Sequence, residues 1–298
     1  MNNVAITGGS GVIGQLLSEL LTKKGYKVIW ISRSKKSSNP FPTFLWSELE
    51  DSLLNVDYII HLAGAGIADK AWTPERKKII LSSRIDTAQQ IFEYYQKSNK
   101  NLKAFISSSA IGYYGIKTTQ KIYEETDQPS NDFLAETCFK WEAIVDQFKT
   151  INIRTVKIRT GIVLSTNGGA LVEMAKPIKF NFGAVLGSGK QYISWIHIED
   201  LCNIYMQAIE NDDMQGAYNG VAPEFKNNER FTLALAQQLH KKIWLPNVPN
   251  FILKIILGER AQLILKGSRV SCSKIIKTGF QFKFPLLEQA LQELYSKK

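Results

Sequence analysis

The amino-acid sequence predicts an α/β fold: a doubly wound parallel sheet within residues 1–220, with substrate-side segments from about 165, then a small basic C-terminal domain over 221–298. Three observations lead there. Short apolar, β-branched runs alternate with helix-period stripes through the first 160 residues. A glycine-rich turn joins the first run to the first stripe, and from about residue 165 glycine and proline break the pattern up. Alternation of this kind builds βαβ units, whose helices cover both faces of a parallel sheet.

The elements follow in order. Val4-Ala5-Ile6 reads as a strand, and Val12, Ile13, Leu16, Leu17, Leu20 and Leu21 recur at helical spacing. Residues 27–31, 57–61, 104–107 and 154–158 give four more strands, and 75–98 and 133–149 give two long helices. The first strands show almost no polar alternation, as strands buried on both faces should. Gly168, Gly169, Gly183, Gly187 and Gly189 then mark a loop-rich stretch, and Pro223, Pro246, Pro249 and Pro285 cut the tail into short elements. Its apolar helix near 251–257 is expected to pack onto the main body.

Composition narrows the function class. Of 298 residues, 44% are hydrophobic and 21% charged, which excludes a disordered or fibrous chain. Cys138, Cys202 and Cys272 lie far apart without CxxC, and His61, His197 and His240 show no metal-ligand spacing, so no metal site is expected. No apolar stretch is long enough for a bilayer, and the N-terminus shows no leader, so a soluble, cytoplasmic protein is expected. The net charge of +10 is concentrated in residues 221–298, where 13 Lys/Arg against 5 Asp/Glu leave +8. Those cations are scattered among apolar residues rather than gathered into a nucleic-acid motif, so no nucleic-acid partner is expected.

The turn Thr7-Gly8-Gly9-Ser10-Gly11-Val12-Ile13-Gly14 follows the first strand and opens the first helix. Gly8 permits a tight turn, Gly11 lets backbone approach a pyrophosphate, and Gly14 lets helix and strand close up. The free N–H groups of the helix start then face the phosphates. This is the signature of a Rossmann-like dinucleotide site. The second strand runs into Ser32-Arg33-Ser34 with no acid to accept from a ribose 2′-OH. A carboxylate there would repel a 2′-phosphate, whereas Arg33 offers it a charged fork, so NADP(H) is favoured over NAD(H).

With these residues the chain resembles the extended, sugar-nucleotide-epimerase-like form of the short-chain dehydrogenase/reductase superfamily. The resemblance rests on the glycine spacing, on His61-Leu62-Ala63-Gly64, on Ser107-Ser108-Ser109-Ala110 with Tyr114-Gly115, and on Trp195-Ile196-His197-Ile198-Glu199-Asp200. It is closer still to an atypical branch of epimerase-family proteins with a small C-terminal domain of unknown function. The segments that carry this are Ala68-Asp69-Lys70 with Trp72-Thr73, Gly112-Tyr113-Tyr114-Gly115, Trp141-Glu142, Arg159-Thr160-Gly161 and Gly187-Ser188-Gly189. The resemblance implies that Leu62, Ala63 and Gly64 also line the cofactor, and that a homodimer is possible.

It also implies a Ser that holds the substrate oxygen, a Tyr that moves a proton and a Lys four residues later. Ser109, or Ser108, fits the Ser. At the place the resemblance assigns it, the Tyr-x-x-x-Lys is missing: aligning Glu142 with the glutamate that often follows it places Leu134 at the Tyr and Cys138 at the Lys. Tyr113 and Tyr114 are the substitute proton donors, and Ser108, Arg84, Arg159 and His197 are candidates for substrate binding. Two functions are consistent with this. One is an NADP(H)-dependent oxidoreductase or epimerase acting on a small polar carbonyl, hydroxyl or sugar-derivative substrate. The other is a catalytically silent dinucleotide-binding sensor or scaffold.

Overall fold

A computed structural model of the chain describes residues 2–98, 100–115 and 120–296. Its first half runs β1 (Asn3–Thr7), α1 (Val12–Lys23), β2 (Lys27–Ser32), β3 (Thr43–Leu45), α2 (Leu49–Ser52), β4 (Tyr58–His61), α3 (Pro74–Lys97), β5 (Ala104–Ala110), β6 (Ile122–Tyr123) and α4 (Phe133–Gln147). Then come β7 (Arg154–Thr160), β8 (Ile162–Leu164), α5 (Ala170–Lys179), β9 (Tyr192–Ile193), β10 (Trp195–His197), α6 (Ile198–Glu210) and β11 (Gly216–Gly220). The tail adds β12 (Lys226–Asn227), α7 (Asn228–Gln238), α8 (Asn250–Leu257), α9 (Gln262–Leu265), β13 (Arg269–Val270), α10 (Ser273–Ile276) and α11 (Leu287–Ser296).

Seven strands form one parallel sheet in the order β11-β7-β5-β4-β1-β2-β3. The chain leaves β1 toward β2 on one side and returns to β4 on the other, so the strand order reverses beside β1. Open parallel sheets bind ligands at such a point, outside the carboxyl ends of the strands. Register brings those ends level: Thr7 pairs with His61, His61 with Ser107, and Ser109 with Arg159.

Side chains alternate across the sheet, as strand geometry requires. Val4, Ile6, Ile60 and Ile106 face Leu17 and Leu21 of α1 and Leu201 and Tyr205 of α6. Ala5, Ile59 and Phe105 face Ile91 and Phe92 of α3 and Trp141 and Val145 of α4. A third core joins β8, β10 and α5 to α7 and α11 through Trp195, Phe231, Leu287 and Leu291. Val270, Cys272, Ile275 and Phe280 return the tail to the first core. Residues beyond 220 therefore share the hydrophobic cores of the sheet domain.

The apolar helix departs from expectation. Only Leu253 of α8 is buried, while Phe251, Ile255 and Ile256 are 64%, 79% and 68% exposed. Val248 is anchored to Val185 and Gly187 by backbone hydrogen bonds and only Pro249 separates it from the helix, which lays Leu253 on the protein while its other apolar residues project. Among the described residues no helix is long and apolar enough to cross a membrane.

Candidate functional site

The glycine turn sits at the switch point. Gly8 adopts φ +73°, and a Cβ there would lie 3.0 Å from the Ala63 nitrogen and the Leu62 carbonyl. A Cβ on Gly14 would lie 2.6 Å from the Gly9 Cα, so helix and turn close only on glycine. Gly11 donates its N–H to the Gly8 carbonyl at 3.0 Å and caps α1 with no side chain and no acid in the first turn. The first N–H groups of α1 are thus left for a ligand. Gly9 has another job: a Cβ there would strike the Trp30 indole, whose Nε1 donates to Ser18 Oγ at 2.8 Å. It is a packing residue of the turn.

A cleft of about 230 Å³ opens on this turn. Gly8, Gly11, Val12, Ile13, Gly14 and Leu62 form one wall. The facing wall is Val163, Ser165, Gly168, Gly169 and Ala170, the run from β8 into α5, which sequence reasoning missed. Gly169 caps α5 without a side chain, so two helix N-termini open on the same cleft. The only sequence signal was the Gly168-Gly169 pair, whose φ values of +141° and +82° exclude ordinary side chains. Just past β2, Arg33 is exposed and has no ion-pair partner among the described residues, and Ser34 N–H leans on Ser32 Oγ at 3.4 Å.

Beneath the cleft, a buried relay ties three elements together. Thr7 Oγ1 accepts from the Ala63 N–H at 3.2 Å and lies 2.8 Å from His61 Nδ1, while His61 Nε2 lies 3.2 Å from the Arg84 carbonyl. A carbonyl only accepts, so Nε2 carries the hydrogen, and in the neutral ring Nδ1 accepts from the Thr7 hydroxyl. Burial pulls the His61 pKa from 6.5 to about 4, in keeping with that state. His61 therefore sets the Leu62-Ala63-Gly64 loop and the start of the Arg84 turn of α3.

A second network fills the space between β5, β7 and α4. Arg159 makes a two-pronged ion pair with Glu142, Nε to Oε1 at 2.7 Å and Nη2 to Oε2 at 2.9 Å. Ser109 Oγ donates to the same Oε1 at 2.8 Å. Arg159 Nη1 donates to the Tyr114 hydroxyl at 3.0 Å, which in turn donates to Asn219 Oδ1 at 2.7 Å. Asn219 Nδ2 reaches the Ser271 carbonyl at 2.9 Å, so the network ends in the tail. Tyr114 is 1% exposed, and burial drives its phenol pKa far up. Tyr113 differs. It is half-buried, T-stacked on Tyr114, with the Arg159 guanidinium carbon 3.5 Å from its ring centre.

Against this geometry the comparisons are decisive. Residues 4–219 match the model of the NAD dependent epimerase/dehydratase family. The chain belongs to that family. Residues 248–294 match a further domain of unknown function, DUF1731. The epimerase family protein YfhF of Bacillus subtilis is 37% identical, over 98% of this chain and 97% of its own. The human epimerase family protein SDR39U1, solved with NADPH, is 31% identical with a TM-score of 0.91, over 99% of this chain and all of that one. A nucleoside-diphosphate sugar epimerase of Corynebacterium glutamicum is 30% identical with a TM-score of 0.79, over 98% of this chain and 58% of its own. The Rossmann-like architecture is shared with these solved structures, and the human protein holds NADPH.

The two positions that the resemblance aligns with Tyr-x-x-x-Lys, Leu134 and Cys138, are sealed. Leu134 packs with Trp72 and Ile80, and Cys138 is buried, its thiol pushed up to about 12 chiefly by that burial. A Cβ on Gly112 would meet both, at 3.4 Å and 3.7 Å, so the loop after β5 rests directly on them. Three candidate substrate contacts have partners within the protein. Arg159 is neutralised by Glu142. Ser108 turns to the face of β5 opposite Ser109, its Oγ donating to the Ser109 carbonyl at 3.3 Å. His197 caps α6 through the Glu199 N–H, meets Glu293 Oε2 at 3.1 Å and stacks on Phe284 at 4.0 Å, so it docks the tail. Asp200 does likewise, accepting from the Lys283 and Phe284 N–H groups. The fourth, Arg84, lies against Gly64, two residues past the Leu62 that lines the cleft.

Proposed function

We propose that the chain binds NADP(H) in this cleft and acts as an oxidoreductase or epimerase-like enzyme on a small polar carbonyl, hydroxyl or sugar-derivative substrate. The observation that carries this is the cleft itself: two uncapped helix N-termini meeting across glycine walls, with an unpaired Arg33 and no carboxylate at the end of β2. The residues fit the group. Gly8, Gly11 and Gly14 clear the space a diphosphate needs, and the α1 and α5 N–H groups supply donors. Arg33 is placed for a 2′-phosphate. When bound, the nicotinamide supplies hydride transfer.

The chain's own part is to position and protonate. Ser109 and Tyr114 are spent on Glu142, Arg159 and Asn219, which leaves Tyr113 as the remaining phenol near the end of β5. Burial raises its pKa against the opposing Arg159 charge, so at neutral pH it carries the proton that a carbonyl oxygen would take up. A panel of small carbonyl compounds, followed by NADPH absorbance, tests this. Tyr113→Phe should lower kcat by at least about 100-fold with KM little changed. Turnover that survives Tyr113→Phe would refute the assignment of the acid.

The sealing of Leu134 and Cys138 supports a second reading, a dinucleotide-bound sensor or scaffold. It gains if NADPH binds, no carbonyl reacts, and NADPH changes affinity for a protein partner.

A further inference from the structure

Arg84 is a cation with an unfinished set of partners. It rises from α3 to the rim where β4 ends. A Cβ on Gly64 would lie 3.0 Å from its guanidinium carbon, so the bare backbone of that loop lies against it. The group lies over the Trp141 ring at 5.1 Å, and Nη1 donates to the Ile80 carbonyl at 2.7 Å. These contacts fix the fork in place. They do not neutralise it.

Three neighbouring cations have an acid. Arg76 pairs with Asp69, Lys77 with Glu259, and Arg159 with Glu142, whereas Arg84 has no ion pair among the described residues. Burial is the main influence lowering its pKa; the Cys138 thiol opposes and Arg76 adds to the lowering. That thiol is held neutral by its own burial, so it does not answer the guanidinium, and no ion pair among the described residues does. The loop around it is itself tied down by arginines, Arg76 to the Gly66 carbonyl and Arg260 to the Ala68 carbonyl. A half-buried guanidinium without a carboxylate is costly unless a ligand completes it.

We infer that Arg84 is the binding group for an oxyanion, a phosphate or a carboxylate, held beside Gly64 at the end of the cleft. Planar, permanently charged and pre-oriented by Trp141, its fork suits two parallel hydrogen bonds to such a group. It holds and orients; a guanidinium cannot pass on a proton at working pH. The inference rests on the cleft being the site of chemistry, and it specifies the ligand: either the cofactor's own diphosphate or an acidic substrate lies against Arg84.

The test uses the full chain and inorganic phosphate, titrated against chloride at constant ionic strength with Tm and calorimetry as readouts. Phosphate affinity should weaken by about 10-fold in Arg84→Gln, with Arg84→Lys, which keeps charge but loses the fork, falling between. Equal phosphate affinity in wild type and Arg84→Gln would overturn the inference. Should Arg84→Gln be too unstable to titrate, equality between wild type and Arg84→Lys does so. NADPH then separates the sources. An equal weakening of NADPH in Arg84→Gln assigns the oxyanion to the cofactor. Unchanged NADPH affinity, with loss of phosphate or acetate binding to the NADPH-loaded protein, assigns it to an acidic substrate. If wild type binds phosphate through Arg84 but no NADPH, the cofactor reading fails and this inference stands.

Discussion

Replacing Arg159 with Met should cost about 3–5 kcal/mol of stability, as expected for breaking a buried ion pair from one side. The side chains of Arg159 and Glu142 are 4% and 6% exposed, so the carboxylate left behind would have little access to water. Its remaining partners are the Ser109 hydroxyl at 2.8 Å and Lys157, whose Nζ lies 3.6 Å away and is already paired with Asp146 at 2.7 Å. Tyr114 would lose a donor as well. The double variant Glu142→Gln/Arg159→Met should recover part of the loss, because it removes the stranded charge. Denaturant unfolding of the two variants measures both effects. A loss under about 1 kcal/mol for Arg159→Met would show that the network is not what holds β5, β7 and α4 in register.

Acid should destabilise the protein through His61 well before general acid unfolding. The folded pKa is about 4 and the unfolded value about 6.5, so between them the unfolded chain binds a proton that the folded one refuses. His61's contribution is therefore complete above 6.5 and lost as pH falls toward 4. Over that window it amounts to about 3 kcal/mol. Protonating Nδ1 would end its acceptance from Thr7 and, with it, the hold on Ala63. His197, whose pKa burial also lowers despite Glu293, adds a slope of the same sign. The difference between wild type and His61→Asn isolates the first group: the variant should lose about one proton's worth of pH dependence between 4 and 6.5. Identical slopes would mean that His61 is protonated in the fold.

What the sequence revealed depended on how local the cause was. β1, β2 and β4 were visible as apolar runs, β5 by its Ala-Phe-Ile start and β7 by its β-branched Thr155, Val156 and Ile158. β11 was not: Gly-Ala-Tyr-Asn-Gly has no β-branched residue, and it is a strand because its backbone pairs with β7 from Val156 to Thr160. β3, three residues after Pro42, is likewise a strand only by pairing with β2. Gly11 and Gly14 could be read because what crowds them, Gly8 and Gly9, lies within a few residues of the same turn. The facing wall at Gly168 to Ala170 lies some 150 residues away and meets the turn only in the fold. Glu142 was recognisable by alignment, but its pairing with Arg159 exists only because α4 packs across β5 and β7. That pairing turned Arg159 and Tyr114 from candidates for chemistry into architecture. Arg84 became more prominent for the opposite reason, since the fold supplies it with no acid.

The most direct measurement is a parallel titration of NADPH and NADH into the purified chain, following nicotinamide fluorescence, with Arg33→Ala alongside. Tighter binding of NADPH than NADH, with the advantage cut by about 10-fold or more in Arg33→Ala, is the predicted result, since a charged fork on a phosphate is worth about 1.5–3 kcal/mol. Preference for NADH, or an NADPH affinity that Arg33→Ala leaves unchanged, would contradict the assignment of the 2′-phosphate to Arg33. Failure of both dinucleotides to bind would contradict the cleft as a cofactor site.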